Sequence, residues 1–146
     1  MFKKFEEIEA WKSARELVKV VYTLTKKFPA DERYALTDQL RRAVVSIPSN
    51  IAEGSGRASH ADYAHFLAIA RGSLYETMTQ LQIAVDAGYV AEMPSELEIM
   101  MNEIGRMLTT LMKKYGTLRS TPTASSTPTA SSAPTAPTAP TATLYT

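Results

Sequence analysis

The 146-residue chain has no cysteine. That single absence removes disulfide staples, thiolate zinc sites and thiol nucleophiles together. Histidine is scarce, and the only two, His60 and His65, lie five residues apart. On a helix that spacing turns them away from each other, a poor arrangement for a shared metal. No Glu-x-x-His pair of the kind that builds di-iron bundles occurs. No alternating strand pattern is present either, so no glycine-rich phosphate loop can follow a strand, and no serine has a histidine and a carboxylate arranged around it. These absences exclude the familiar enzyme constellations, and no cofactor is expected. An excess of one charge is also lacking. Lys and Arg number 16 against 15 Asp and Glu, and Arg119 is the only charged residue beyond position 118. Non-specific nucleic-acid binding needs a cationic excess that releases counterions from phosphate. Binding to RNA or DNA would therefore have to use a local patch. Finally, no apolar run is long enough for a membrane span or a signal peptide, so a cytoplasmic protein with no membrane partner is expected.

What is present is helical periodicity. From about Phe5 to Phe28, Ile8, Trp11, Ala14, Leu17, Val18, Val21, Leu24 and Phe28 recur at threes and fours, with Pro29 as a stop. A second stripe carries Leu36, Leu40, Ala43, Val44, Ile47 and Ile51, and Gly54 and Gly56 are expected to end it as left-handed caps. Pro48 lies inside this second segment and is expected to kink it, freeing the Val44 carbonyl. Ser59, with Asp62 three residues on, opens a third helix bearing Tyr63, Leu67, Ala70, Leu74, Met78, Leu81 and Val85, closed by Gly88. Ser95 with Glu98 reads as a capping box opening a fourth, striped by Leu97, Met101, Ile104, Leu108, Leu111 and Tyr115 and ended by Gly116. Four helices of matched length with short links predict an all-α fold, an antiparallel up-and-down four-helix bundle over residues 3–116. Residues 117–146 are almost wholly Thr, Pro, Ala and Ser, with Thr-Pro-Thr-Ala-Ser-Ser occurring twice. Such a composition lacks the apolar surface to offset chain entropy, and a disordered, solubilising tail is expected.

Three groups of side chains invite a functional reading. Gln39, Arg42, Ser46, Asn50 and Glu53 form a polar stripe beside the apolar one on the second helix, and Arg71, Ser73, Glu76 and Gln80 could face it from the third, with Gly72 allowing close approach. Buried polar stripes more often fix helix register than bind ligands, and both readings apply to this one. Arg41, Arg42, Arg57 and Arg71 are the only concentration of arginine. Folded together by the 54–59 turn they would make a compact anion site, and otherwise each pairs with Glu53, Glu76 or Asp38. Met93, Met100 and Met107 recur every seven residues beside the main stripe of the fourth helix, and Val18 and Tyr22 widen the apolar face of the first. Adaptable methionine-lined edges suit protein contacts, and self-association is expected to use this edge.

The strings Arg41-Arg42-Ala43, Asn50-Ile51-Ala52-Glu53-Gly54, Arg57 and Gly72-Ser73-Leu74-Tyr75-Glu76 stand at a specific spacing. So do Trp11, Ala14 and Leu17, Phe28-Pro29, Leu36-Thr37-x-Gln39-Leu40 and Ala87-Gly88-Tyr89. In these the chain resembles the bacterial four-helix bundle family named for proteins encoded in intervening sequences of large-subunit (23S) ribosomal RNA genes. The resemblance covers nearly all of residues 3–116, with the fourth helix matched mainly by pattern and the tail not at all. It implies an up-and-down bundle, a ring-like homopentamer and no known catalysis. A related branch, the accessory variability determinants of diversity-generating retroelements, is similar in fold and partners nucleic acid and a reverse transcriptase through a basic surface. This chain departs from that branch in having no basic excess. The expectation is thus a non-enzymatic homo-oligomer with a scaffold or accessory role, the alternative being a nucleic-acid-binding accessory protein acting through its arginines.

Overall fold

The computed structural model describes residues 5–116. Residues 1–4 and the expected tail, 117–146, lie outside the described residues. Four α-helices make up the described chain: α1 Glu9–Thr25, α2 Leu36–Ser55, α3 His60–Asp86 and α4 Ser95–Gly116, with no strand among the described residues. Each helix packs on its two neighbours around a square, α1 on α2 and α4, α3 on α2 and α4, and the diagonal pairs do not meet. Loops of this shortness turn each helix back along its predecessor, so α1 and α3 run one way and α2 and α4 the other. The core is where the stripes converge. Leu17, Leu40, Ile47, Ile51, Leu67, Leu74, Leu81, Ile104 and Leu108 are all but sealed from solvent. Each such side chain contributes roughly 1.5–3 kcal/mol over an exposed one. None of the described helices is long and apolar enough to cross a membrane.

Several boundaries differ from the periodicity. A 3-10 turn at Phe5–Glu7 precedes α1, and Ile8 caps the helix with extended backbone, so α1 is shorter than its stripe. It ends at Thr25, before Phe28; turn bonds from Lys27 N–H to Leu24 O and from Phe28 N–H to Thr25 O carry the chain to Pro29. The first link is held by Glu32. Its carboxylate accepts from the Leu36 amide at 3.1 Å, satisfying one orphan donor at the start of α2, and from the Tyr89 hydroxyl at 2.9 Å. That second bond ties the α1–α2 link to the α3–α4 link and pushes the Tyr89 phenol pKa up, because its proton is held by a carboxylate.

The caps of α3 match the sequence reading. Ser59 Oγ accepts from the Asp62 amide at 3.1 Å. At the other end Gly88 takes φ +80, its amide bonds Val85 O, and the Tyr89 amide bonds Ala84 O. This is the Schellman pattern, and it needs the left-handed backbone that glycine tolerates. The α2 terminus is a correction. Neither Gly54 nor Gly56 has positive φ; α2 continues through Gly54 to Ser55. Gly54 is there because a Cβ at that position would lie 2.5 Å from Phe66 Cβ and 3.0 Å from Tyr63 Cδ2. Its missing side chain lets α2 and α3 touch. Gly72, by contrast, faces open space and mediates no close approach. At α4 the helix includes Ser95, and the Glu98 amide bonds the Pro94 carbonyl, so Ser95 is the first helical residue rather than the cap. Pro48 is buried inside α2. Just beyond it, Ser49 Oγ and Asn50 Nδ2 donate to the Val45 and Ser46 carbonyls at 2.9 and 2.8 Å, next to the Val44 carbonyl from which the proline withholds a backbone donor. Leu111 and Tyr115, read as core, are only partly buried against it.

Candidate functional site

The polar stripe divides in the structure. Its centre is a compact network: Ser46 Oγ accepts from Ser73 Oγ at 2.9 Å and from Asn50 Nδ2 at 2.8 Å. Ser73 is buried, and its carbonyl accepts from Thr77 Oγ1 at 2.8 Å. Hydroxyls and an amide that satisfy one another across α2 and α3 fix register. They include no acid or base that could move a proton at neutral pH. The flanks of the stripe turn outward. Gln39 is exposed, Glu53 is exposed and pairs with Arg57, and Glu76 is exposed while accepting from Gln80 Nε2 at 3.2 Å. Gln80 Oε1 is left sealed, the one such side-chain atom without a partner among the described residues.

The four arginines are not brought together. Arg41 Nε donates to Thr25 Oγ1 at 2.9 Å and its guanidinium covers the Tyr22 ring at 4.7 Å, a clamp between α2 and α1. Arg42 pairs with Asp38 at 3.0 Å, one helical turn back on an exposed face. Arg57 pairs with Glu53 at 2.9 Å and lies over Phe66 at 4.6 Å. Arg71 Nη1 donates to Thr109 Oγ1 at 3.3 Å, bridging α3 to α4. Arg41 lies in the second turn of α2 and Arg57 two residues beyond its end, roughly 20 Å further along at 1.5 Å per residue. The compact anion site expected from the 54–59 turn does not form, since i to i+4 pairing and interhelical hydroxyls take the guanidiniums one by one. Among the described residues no group of three His, Asp or Glu side chains could hold a metal ion.

The methionine edge is more covered than its spacing implied. Met93, Met100, Met107 and Val18 are half-buried against the core, and Tyr22 is 37% exposed beneath Arg41. The apolar groups that do face solvent on the α1–α4 side are Ile99, 57% exposed, and Val20, 38% exposed. Ile99 and Met100 border a shallow depression with Ser13 and Glu16 of α1 and the carboxylates of Glu96 and Glu103. Ser13, Glu16 and Val20 follow one another at threes and fours along the same edge of α1.

A second feature was missed by sequence reasoning. In an up-and-down bundle the starts of α1 and α3 share a pole with the ends of α2 and α4. There they enclose a cavity of about 540 Å³, open on one side, between Ile8, Tyr63, Met107, Leu111 and Tyr115. The Tyr63 and Tyr115 rings lie 4.5 Å apart, and His60 meets Tyr115 edge-on at 5.2 Å. Burial, with the neighbouring Tyr115 second, pushes the Tyr63 phenol up to about 12. Assigning each helix end to its pole would have brought these aromatic residues together. The stripes alone counted them as core.

Fold and site together define a helical bundle whose buried polar groups serve packing and whose unusual features are an apolar α1–α4 edge and a polar-rimmed pole cavity. Residues 6–110 match the family model described as 23S rRNA-intervening sequence protein, and the chain belongs to that family. Among solved structures it is similar to a protein of unknown function from the S23 ribosomal protein family of Bacteroides thetaiotaomicron VPI-5482. The identity is 23% and the TM-score 0.51, over 77% of this chain and 99% of that one, a likeness of fold. A comparison with curated proteins finds no match.

Proposed function

We propose that this chain acts as a non-enzymatic, homo-oligomeric helical bundle with a scaffold or accessory role in the cytoplasm. The observation that carries the reading is the α1–α4 edge, where Ile99 stands in solvent next to half-buried Met100 and Val20 is exposed further along α1. Branched apolar side chains gathered on one face leave a surface that a second copy of the chain would cover. The edge is charged at its margins, with Glu16, Glu96 and Glu103 around Met100 and with Lys19 and Lys27 beside Val20. Glu16 and Lys19 neutralise each other at 2.9 Å, so the charges left for head-to-tail contact in a ring of the kind implied by the resemblance are Glu96 and Glu103 of α4 and Lys27 beyond α1. The Ser46–Asn50–Ser73 network then serves to hold α2 and α3 in register as a rigid unit of assembly.

Absolute mass by light scattering on the full-length chain tests this. A homopentamer would give a mass near five times the 16.0 kDa of one chain. Ile99→Glu and Met100→Glu should each reduce the mass to one chain while leaving helicity intact; an unchanged mass would place the interface elsewhere. Repeating the measurement with short RNA and DNA at low and moderate salt addresses the accessory reading, with a reverse transcriptase as its protein partner. The engagement of Arg41, Arg42, Arg57 and Arg71 by separate partners favours assembly over phosphate binding. A complex that weakens steeply with salt would reverse that preference.

A further inference from the structure

The pole cavity has the attributes of a ligand site. Its volume of about 540 Å³ falls within the roughly 300–1,000 Å³ of small-molecule sites. Its walls are Ile8, Met107, Leu111 and two tyrosine rings, flat and polarisable surfaces that favour a planar aromatic body. Tyr63 carries the second observation. A buried tyrosine ordinarily gives its hydroxyl a hydrogen-bond partner. Tyr63 is only 9% exposed, yet its hydroxyl bonds no described residue. It is also not a sealed orphan, a condition that belongs to Gln80 Oε1. Tyr63 lines the cavity, which places its unsealed phenol within reach of a ligand there. A phenol is protonated, and so a hydrogen-bond donor, throughout the neutral range.

The rim is charged and laterally divided. Glu7 and Glu9 stand on the α1 side, and Glu9 is already held by Lys12 at 3.0 Å. Arg106 and Lys114 stand on the α4 side. The Lys114 ammonium lies 5.4 Å above the Tyr115 ring, and Arg106 has no carboxylate partner among the described residues. We infer that the pole cavity binds a small planar aromatic anion, its ring among Met107, Leu111 and the tyrosines, an acceptor oxygen on the Tyr63 hydroxyl and its negative charge toward Arg106. The cavity lies poleward on the α1–α4 side whose exposed apolar centre is Ile99, and Met107 belongs both to the cavity wall and to the methionine edge.

The test uses the full-length chain and two fluorescent probes of nearly the same shape, the anionic 1-anilinonaphthalene-8-sulfonate and the uncharged N-phenyl-1-naphthylamine. Both should bind once per chain with enhanced emission, and the anion should bind more tightly. Leu111→Trp, which fills the cavity, should abolish both signals; Met107→Trp is the second filling variant should the first not fold, each verified by a native unfolding transition. Arg106→Glu should weaken the sulfonate about tenfold, as expected for a charge-assisted contact, and leave the amine within about twofold. Undiminished binding in a folded cavity-filling variant would overturn the site. Equal effects of Arg106→Glu on the two probes would overturn its anion selectivity.

Discussion

Replacing Gly54 by alanine should destabilise the bundle, although alanine is the better helix former. Within a helix interior the exchange ordinarily gains about 0.5–1 kcal/mol, from propensity and from a less flexible unfolded chain. Here the new methyl would sit 2.5 Å from Phe66 Cβ and 3.0 Å from Tyr63 Cδ2. Ordinary carbon contacts lie near 3.5–4.0 Å, so α2 and α3 must part by about 1 Å locally. Phe66 Cβ is fixed directly to the α3 backbone, and no side-chain rotation can relieve the overlap. Overpacking of this kind costs about 1–3 kcal/mol. Subtracting the helical gain leaves a net loss of about 0–2.5 kcal/mol, centred on about 1 kcal/mol, or several degrees in Tm for a domain of this size. Gly72→Ala provides the internal control, because nothing lies within 4 Å of a Cβ there and the helical gain should appear unopposed. Urea unfolding of both variants at one fixed protein concentration gives the comparison, a necessary condition if the chain self-associates. Should Gly54→Ala prove as stable as Gly72→Ala, the close approach of α2 to α3 at this position is wrong.

Other substitutions probe the remaining claims. Leu108→Ala, at a sealed position, should cost about 2–5 kcal/mol, and Leu111→Ala, half-buried at the cavity wall, should cost clearly less; equal losses would place Leu111 in the core. A double-mutant cycle with Ser46→Ala and Ser73→Ala should return a coupling of about 0.5–1.5 kcal/mol for their 2.9 Å bond, and a coupling of zero would dissolve the register network. Gln80→Met removes a sealed, unpartnered oxygen and should be neutral or stabilising by about 1 kcal/mol; a large loss would reveal a partner for that oxygen. Because Tyr63 titrates near 12 in the fold against 10.0 when free, the folded state retains a proton that the unfolded state has lost. Its contribution is present below pH 10 and declines as pH rises toward 12, so Tyr63→Phe should flatten the alkaline fall in unfolding free energy over that window.

Residue order alone determined the helical content, the four-element order and most of the core. An apolar stripe at threes and fours has only one face to bury, and four such stripes joined by short links have only each other to cover it. The ends of α3 were equally legible, because capping is local chemistry: Ser59 needs only the amide three residues on, and Gly88 only the preceding turn. Local chemistry also misled. Gly54 resembles a helix stop in sequence, and only the arrival of Phe66 from another helix explains it. The arginines gave the same difficulty, since the four guanidiniums found four different partners, Thr25, Asp38, Glu53 and Thr109, at separate places in the bundle. Only half of the polar stripe could be anticipated, because whether a helical position adjoining the core is buried depends on how far the neighbouring helix is rotated. The pole cavity could be approached from topology, but its walls belong to tertiary structure. Tyr63 and Tyr115 stand 52 positions apart, and their rings meet at 4.5 Å only because two antiparallel helices happen to start and finish at the same end. Periodicity specifies which face of a helix turns inward; the meeting of particular side chains is settled by the rotation, offset and separation of the helices that carry them.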